Sequence, residues 1–298
     1  MDRISIVSGL MALQDEICHA LEQLDGTAVF IEDGWDRPGG GGGRTRVIEG
    51  LNIEKGGVNF SEVYGSLSQE AGKALGIPAN DFFATGVSIV LHPSNPWVPI
   101  IHMNVRYFEA GESWWFGGGI DASPHYISVS EASEFHQKLK NVCDRSHESF
   151  YPRFKKWADD YFYIKHRKET RGIGGIFFDR LTESEISFES GLNFILEVGR
   201  TFIPCYSPMF LNNYNRDYDE HNKNWQLLRR GRYVEFNLAW DRGTRFGLET
   251  DGRTESILMS LPKDARWIYN YKPAKSSLEA DTVALLKKDI DWLNAATS

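Results

Sequence analysis

Five segments rich in β-branched and aromatic residues (44–51, 58–64, 84–92, 100–108 and 113–117) follow one another in the first half of the chain, separated by Gly, Pro or Asn. Strands grouped in this way, rather than alternating one by one with helices, pair into an antiparallel sheet. The surrounding segments supply helices to cover it. Ile4, Val7, Met11, Ile17, Leu21 and Leu24 recur at helical spacing, which predicts an amphipathic helix over 3–25 ending near Asp25-Gly26. Periodicity predicts further helices over 130–144 and 149–165, and a strand at 174–179 follows the turn from Gly172 to Gly175. Thr182-Glu183-Ser184-Glu185 has the form of a capping box for a helix over 183–199, and Ser276-Ser277-Leu278-Glu279 has it for a C-terminal helix. Between them, 231–240, 244–249 and 254–261 read as strands. The expected fold is α+β, with a large and mainly antiparallel β-sheet covered by helices. No linker or repeat divides residues 1–298, so they read as a single domain.

A formal net charge of −8 leaves no broad basic face for nucleic acid or an anionic membrane, so an anionic ligand must meet individually placed arginines. Cys18, Cys143 and Cys205 are far apart and lack CxxC spacing, which fits buried free thiols in a reducing compartment. No apolar run reaches the ~20 residues that span a bilayer, and the chain reads as cytoplasmic.

Three segments could carry chemistry. In the first, a strand over 100–108 would point His102, Asn104 and Arg106 to one face, because side chains alternate along a strand. An imidazole, an amide and a guanidinium in one row can hold a carboxylate and move a proton beside it, although a plain solvated sheet face would look the same. Ser88 and His92 share a face of the preceding strand, and prolines between His92 and Pro99 stiffen the connection. In the second, a strand over 231–240 would end at Asp241-Arg242-Gly243, offering a carboxylate for N–H groups beside an anion-binding arginine, or an ordinary turn. The third is the turn Thr250-Asp251-Gly252-Arg253 with one more arginine. Trp114-Trp115-Phe116 before Gly117 reads as aromatic core more readily than as a ligand platform. The glycine runs lack a phosphate-loop ending, and His92, His102, His125, His136 and His166 fall in no HxxxH or HExxH frame.

Together these segments resemble the oxygen-dependent coproporphyrinogen III oxidases over nearly the whole chain. The resemblance rests on His92-Pro93 with Asn95-Pro96, His102 to Arg106, Trp114 to Asp121, Tyr151 to Phe162 with His166, Arg171 to Asp179, and Leu228 to Leu261. The chain departs from the family pattern at Asp251, where many members have glycine, and at Glu134, where some have histidine.

The resemblance implies a sheet flanked on both faces by α-helices and a homodimer whose contact involves 231–267. It implies oxidative decarboxylation of two propionates of coproporphyrinogen III to vinyl groups with molecular oxygen, giving protoporphyrinogen IX, carbon dioxide and hydrogen peroxide. No cofactor beyond oxygen is implied, because a deprotonated pyrrole can itself reduce oxygen. Carried onto this chain, His102 and Asp241 become the catalytic candidates. Ser88, Asn104, Arg106, Arg242, Gly252 and Arg253 become substrate contacts, and the glycines 39–43 part of a lid. Were a metal used instead, His92, His102, His136 and His166 would be the candidate ligands. A porphyrinogen carrier without activity is the other alternative.

Overall fold

The computed structural model describes residues 2–67, 69, 72–73, 76–77, 81–249 and 252–295. Helix α1 (Arg3–Asp25) is capped by the Asp2 carboxylate, which accepts from the Ile4 N–H, and is ended by Gly26 in the left-handed region. Ile6, Leu10, Leu13, Ile17 and Leu21 are buried on one stripe, each contributing about 1.5–3 kcal/mol. Gln14, also on that stripe, donates to the Arg44 and Val58 carbonyls and fixes the helix against the sheet.

Strands β1 (Ile31–Asp36), β2 (Gly41–Ile48), β3 (Ile53–Ser66), β4 (Asp81–Pro93), β5 (Ile100–Ala110) and β6 (Ser113–Ser123) pair in sequence order, each antiparallel to the last. After helices α2 (Val129–Asp144) and α3 (Phe150–Tyr161) and the two-residue strands β7 (Tyr163–Ile164) and β8 (Glu169–Thr170), β9 (Gly174–Leu181) joins β6 as the seventh strand. The strands expected at 44–51, 58–64, 84–92, 100–108, 113–117 and 174–179 are present and most are longer than expected. β1 carries Gly34 and charged residues and had not been anticipated.

One face of the sheet is core. Val58, Phe60, Val87, Ile89, Met103, Val105, Phe116, Ile120, Ile176 and Phe178 are buried there with α1, with α2 and α3, and with α4 (Phe188–Arg200) and α5 (Phe202–Leu211). Helix α4 starts five residues later than the Thr182 box suggested, because Ser187 caps it and Thr182 instead forms a turn with Glu185 and Ile186.

The segments 231–240, 244–249 and 254–261 are not strands. They lie in helix α6 (Glu220–Ala239), helix α7 (Arg242–Glu249) and helix α8 (Thr254–Leu258) with the turn that follows it. Asp219 and Asn222 cap α6 reciprocally, and the helix buries Trp225, Gln226, Arg229, Arg230, Tyr233, Phe236 and Asn237, a 3.6-residue period. The apolar alternation Val234, Phe236, Leu238, Trp240 is incidental, for Leu238 is exposed. Helices α9 (Leu278–Leu285), capped by Ser277, one residue after the Ser276 of the expected box, and α10 (Trp292–Ala295) complete the fold. All three cysteines are buried and free, and burial pushes each thiol up to about 12.

Candidate active site

The second face of the sheet carries most of its polar side chains. His102, Asn104 and Arg106 do lie in one row, the buried residues of β5 alternating with them. Across to β4, Val90, Ser88 and Gly86 stand opposite them, and across to β6 stand Asp121, Gly119 and Gly117. The rows continue through Asn59 and Ser61 of β3 to Thr45 and Gly43 of β2, and through Phe177 and Asp179 of β9. With strands ~4.8 Å apart, the floor from β2 to β9 is about 24 Å wide.

Glycine is required at several floor positions. A Cβ at Gly43 would meet the Trp35 ring at 2.3 Å, and one at Gly119 would lie 2.6 Å from the Ile176 carbonyl oxygen. The glycines 39–43 therefore form the β1–β2 turn and the first residues of β2, where Gly40 and Gly41 have φ of 112° and 81° and Gly43 lets Trp35 lie across the floor.

His102 is anchored from beneath. Its Nδ1–H donates to Asp121 Oδ1 at 2.8 Å, and the Arg171 Nη2 donates to both Asp121 oxygens at 2.8 and 2.7 Å. Arg171 Nη1 in turn donates to the side-chain Oδ1 of Asn237 at 2.9 Å, and its guanidinium lies 4.4–4.7 Å from the ring centres of Phe162, Tyr233 and Phe236. Burial favours a protonated Asp121, but the Arg171 charge and the His102 hydrogen bond outweigh it, and the carboxyl stays below the usual range. An ionised Asp121 fixes the imidazole with its proton on Nδ1. Nε2 is then left as an acceptor with no hydrogen bond among the described residues. Neither Asp121 nor Arg171 stands out in the sequence as a site residue, although each lies inside a segment that carries the family resemblance.

Asp241 sits at the α6–α7 junction rather than at a strand end. Its Oδ2 accepts the Thr244 N–H at 2.7 Å, the bond of a helix N-cap, and its Oδ1 accepts the Tyr161 hydroxyl at 2.8 Å. Tyr161 stacks on Phe177 of the floor with ring centres 4.1 Å apart, so Asp241 and the exposed Arg242 are tied to the β9 side. Burial, then the Asp241 charge, push the Tyr161 hydroxyl above its ordinary range and keep it a donor.

Arg253, at the start of α8, is tied to the opposite side: it pairs with Asp33 of β1 and lies 5.8 Å from the Trp35 ring centre. Gly252 donates to the Gly247 carbonyl at 2.8 Å, a contact that a side chain at Gly252 would crowd, while Thr250 and Asp251 lie outside the described residues. Helix α8 covers the β2–β3 end of the floor through Ser256, which bonds Thr45 and Asn59, and through Met259 in the turn after it, which packs over Gly57.

The other histidines named as metal candidates have structural partners. Buried His92 donates from Nε2 to the Ser260 carbonyl at 2.9 Å, and burial lowers its pKa to about 3. His136 donates to the Ile173 carbonyl and accepts from Tyr151, and burial likewise lowers it to about 3. His166 bridges Glu235 and Trp240. Among the described residues no group of three His, Cys, Asp or Glu is placed to hold a metal ion.

This broad floor, with arginines tied to both of its sides and the His102 Nε2 without a hydrogen bond among the described residues between them, places the chain in a class of antiparallel-sheet proteins with one polar, arginine-flanked face. Comparison with known proteins narrows that class. The chain belongs to the coproporphyrinogen III oxidase family, whose model matches residues 5–292. It is 47% identical to the oxygen-dependent coproporphyrinogen-III oxidase of Parasynechococcus marenigrum (strain WH8102), over 97% of this chain and 86% of that protein. It is 46% identical to the enzyme of the same name from Prochlorococcus marinus (strain NATL1A), over 95% and 89%. With the enzyme of that name from Synechococcus sp. (strain CC9902) it shares 47%, over 96% and 86%.

Proposed function

We propose that this chain catalyses the oxygen-dependent oxidative decarboxylation of two propionates of coproporphyrinogen III, giving protoporphyrinogen IX. Each step removes a carboxylate as carbon dioxide and a hydrogen from the carbon next to the ring, and the two electrons reduce oxygen to hydrogen peroxide. The observation that carries the reading is the open Nε2 of His102, set by Asp121 on a polar floor. That nitrogen is the group that takes or returns a proton. Asp241, held by Tyr161, accepts pyrrole N–H groups. Arg106, Arg242 and Arg253 meet propionates, Ser88 and Asn104 add neutral contacts, and Gly252 gives the backbone close approach. The residues act on oxygen and substrate with no further cofactor in this reading.

The proposal extends to a cytoplasmic homodimer joined through 231–267. Exposed Leu238, Leu248 and Trp267 support the contact, and no helix among the described residues is long and apolar enough to cross a membrane. The test is oxygen uptake by EDTA-treated protein with freshly reduced coproporphyrinogen III, with the vinyl product followed by chromatography. Uptake with product supports the reading, whereas activity restored only by added metal, or binding without uptake, overturns it. Light scattering checks the dimer.

A further inference from the structure

β9 does not pair evenly with β6. Phe116 pairs with Leu181 and Gly118 with Phe178, so Asp179 and Arg180 together oppose Gly117. Arg180 takes up the extra length at φ 54°, in the left-handed region that a residue with a side chain rarely adopts. This bulge brings Asp179 to Arg106: Asp179 Oδ1 lies 3.0 Å from Arg106 Nη2, while Arg106 Nη1 donates to Asn104 Oδ1 at 2.8 Å. Gly117 leaves room for the pair. A Cβ there would lie 2.8 Å from Asp179 Oδ1 and 3.0 Å from both Arg106 Nε and Nη2. Both side chains are about one-third exposed, so the pair can be opened by a competing anion.

We propose that Asp179 is a specificity-determining residue, an internal carboxylate that holds the Arg106 guanidinium until a ligand propionate displaces it. The inference rests on the proposed function. A propionate that reaches Arg106 must replace Asp179 and then lie near its negative charge. When that propionate leaves as carbon dioxide, a neutral vinyl group remains and Asp179 pairs with Arg106 again. The exchange weakens the hold on the ring once it has lost a carboxylate, which favours turning or release.

The test measures binding of coproporphyrin III and protoporphyrin IX, stable oxidised rings with four and two propionates, by quenching of protein fluorescence. Asp179→Asn keeps the side-chain volume and removes the competing charge. It is expected to tighten coproporphyrin III about threefold, the scale of a partly exposed ion pair, and to leave protoporphyrin IX unchanged. In an Arg106→Ala background the gain should vanish. Unchanged or weaker coproporphyrin III binding by Asp179→Asn overturns the inference, as does the same gain without Arg106. Wild-type protein that turns over no coproporphyrinogen and binds neither ring instead refutes the proposed function, and the inference with it.

Discussion

Replacing Asp121 by asparagine tests whether the buried side chains beneath His102 set its chemistry. The carboxylate is 2% exposed and accepts three hydrogen bonds, one from His102 and two from Arg171. Asparagine has one acceptor oxygen and no charge, so Arg171 becomes a buried cation without its counter-ion. Breaking a buried pair from one side costs about 3–5 kcal/mol; the volume and one acceptor survive here, which places the loss near 3 kcal/mol. That is a large part of a typical folding stability of about 5–15 kcal/mol, yet leaves the protein folded at 25 °C. The effect on turnover is larger. The amide NH2 turned toward His102 stabilises the tautomer with its proton on Nε2, which removes the acceptor facing the cleft. A wrong tautomer in a comparable His–Asp pair costs roughly ten thousandfold, so a fall in kcat of about a thousandfold or more is expected. Oxygen uptake measures kcat, urea unfolding measures stability, and nitrogen NMR of the histidines reads the tautomer. A folded Asp121→Asn protein with kcat within about threefold of wild type would refute the assignment of Asp121 and His102.

Asp241→Ala should abolish turnover and cost about 1 kcal/mol from the lost Thr244 cap; Asp241→Asn keeps the cap, so loss of activity there isolates the charge. A wild-type rate in Asp241→Asn would remove the carboxylate charge from the mechanism. Arg253→Ala should raise KM about tenfold with little change in kcat, read from steady-state kinetics, and an unchanged KM contradicts a propionate contact. Stability should fall on acidification. His92 and His136, lowered by burial to about 3, stay neutral in the fold but protonate near 6.5 when unfolded. Their contribution is complete above pH 6.5 and is lost as pH falls toward 3. At pH 5 the two together set a slope of about 2.7 kcal/mol per pH unit, measurable by urea unfolding at pH 4.5–6, and a flat profile would show that they do not stay neutral.

The legible parts of this protein were those governed by short-range periodicity. β-Branched and aromatic runs between Gly, Pro and Asn gave β2 to β6, and the parity of β5 put His102, Asn104 and Arg106 on one face, because a pleated strand has no other way to project them. Helix α6 was misread because much of its buried stripe is polar: Gln226, Arg229, Arg230 and Asn237 lie inside, partnered by Pro93, Glu169 and Arg171. A hydrophobic template cannot register burial that hydrogen bonds and ion pairs make possible. Asp121 and Arg171 escaped for a related reason, since a pair fifty residues apart acquires meaning only when β6 and the segment before β9 come together.

Residue order alone was enough to specify the antiparallel sheet, the row on β5 and the family, each of them written locally along the chain. Folding in three dimensions was needed to decide that Asp241 caps a helix under Tyr161, that His92 and His136 are structural, and that Arg106 and Arg253 have acidic partners. Those outcomes depend on which distant groups share a low-dielectric space, and the energy of a charge is set by that company.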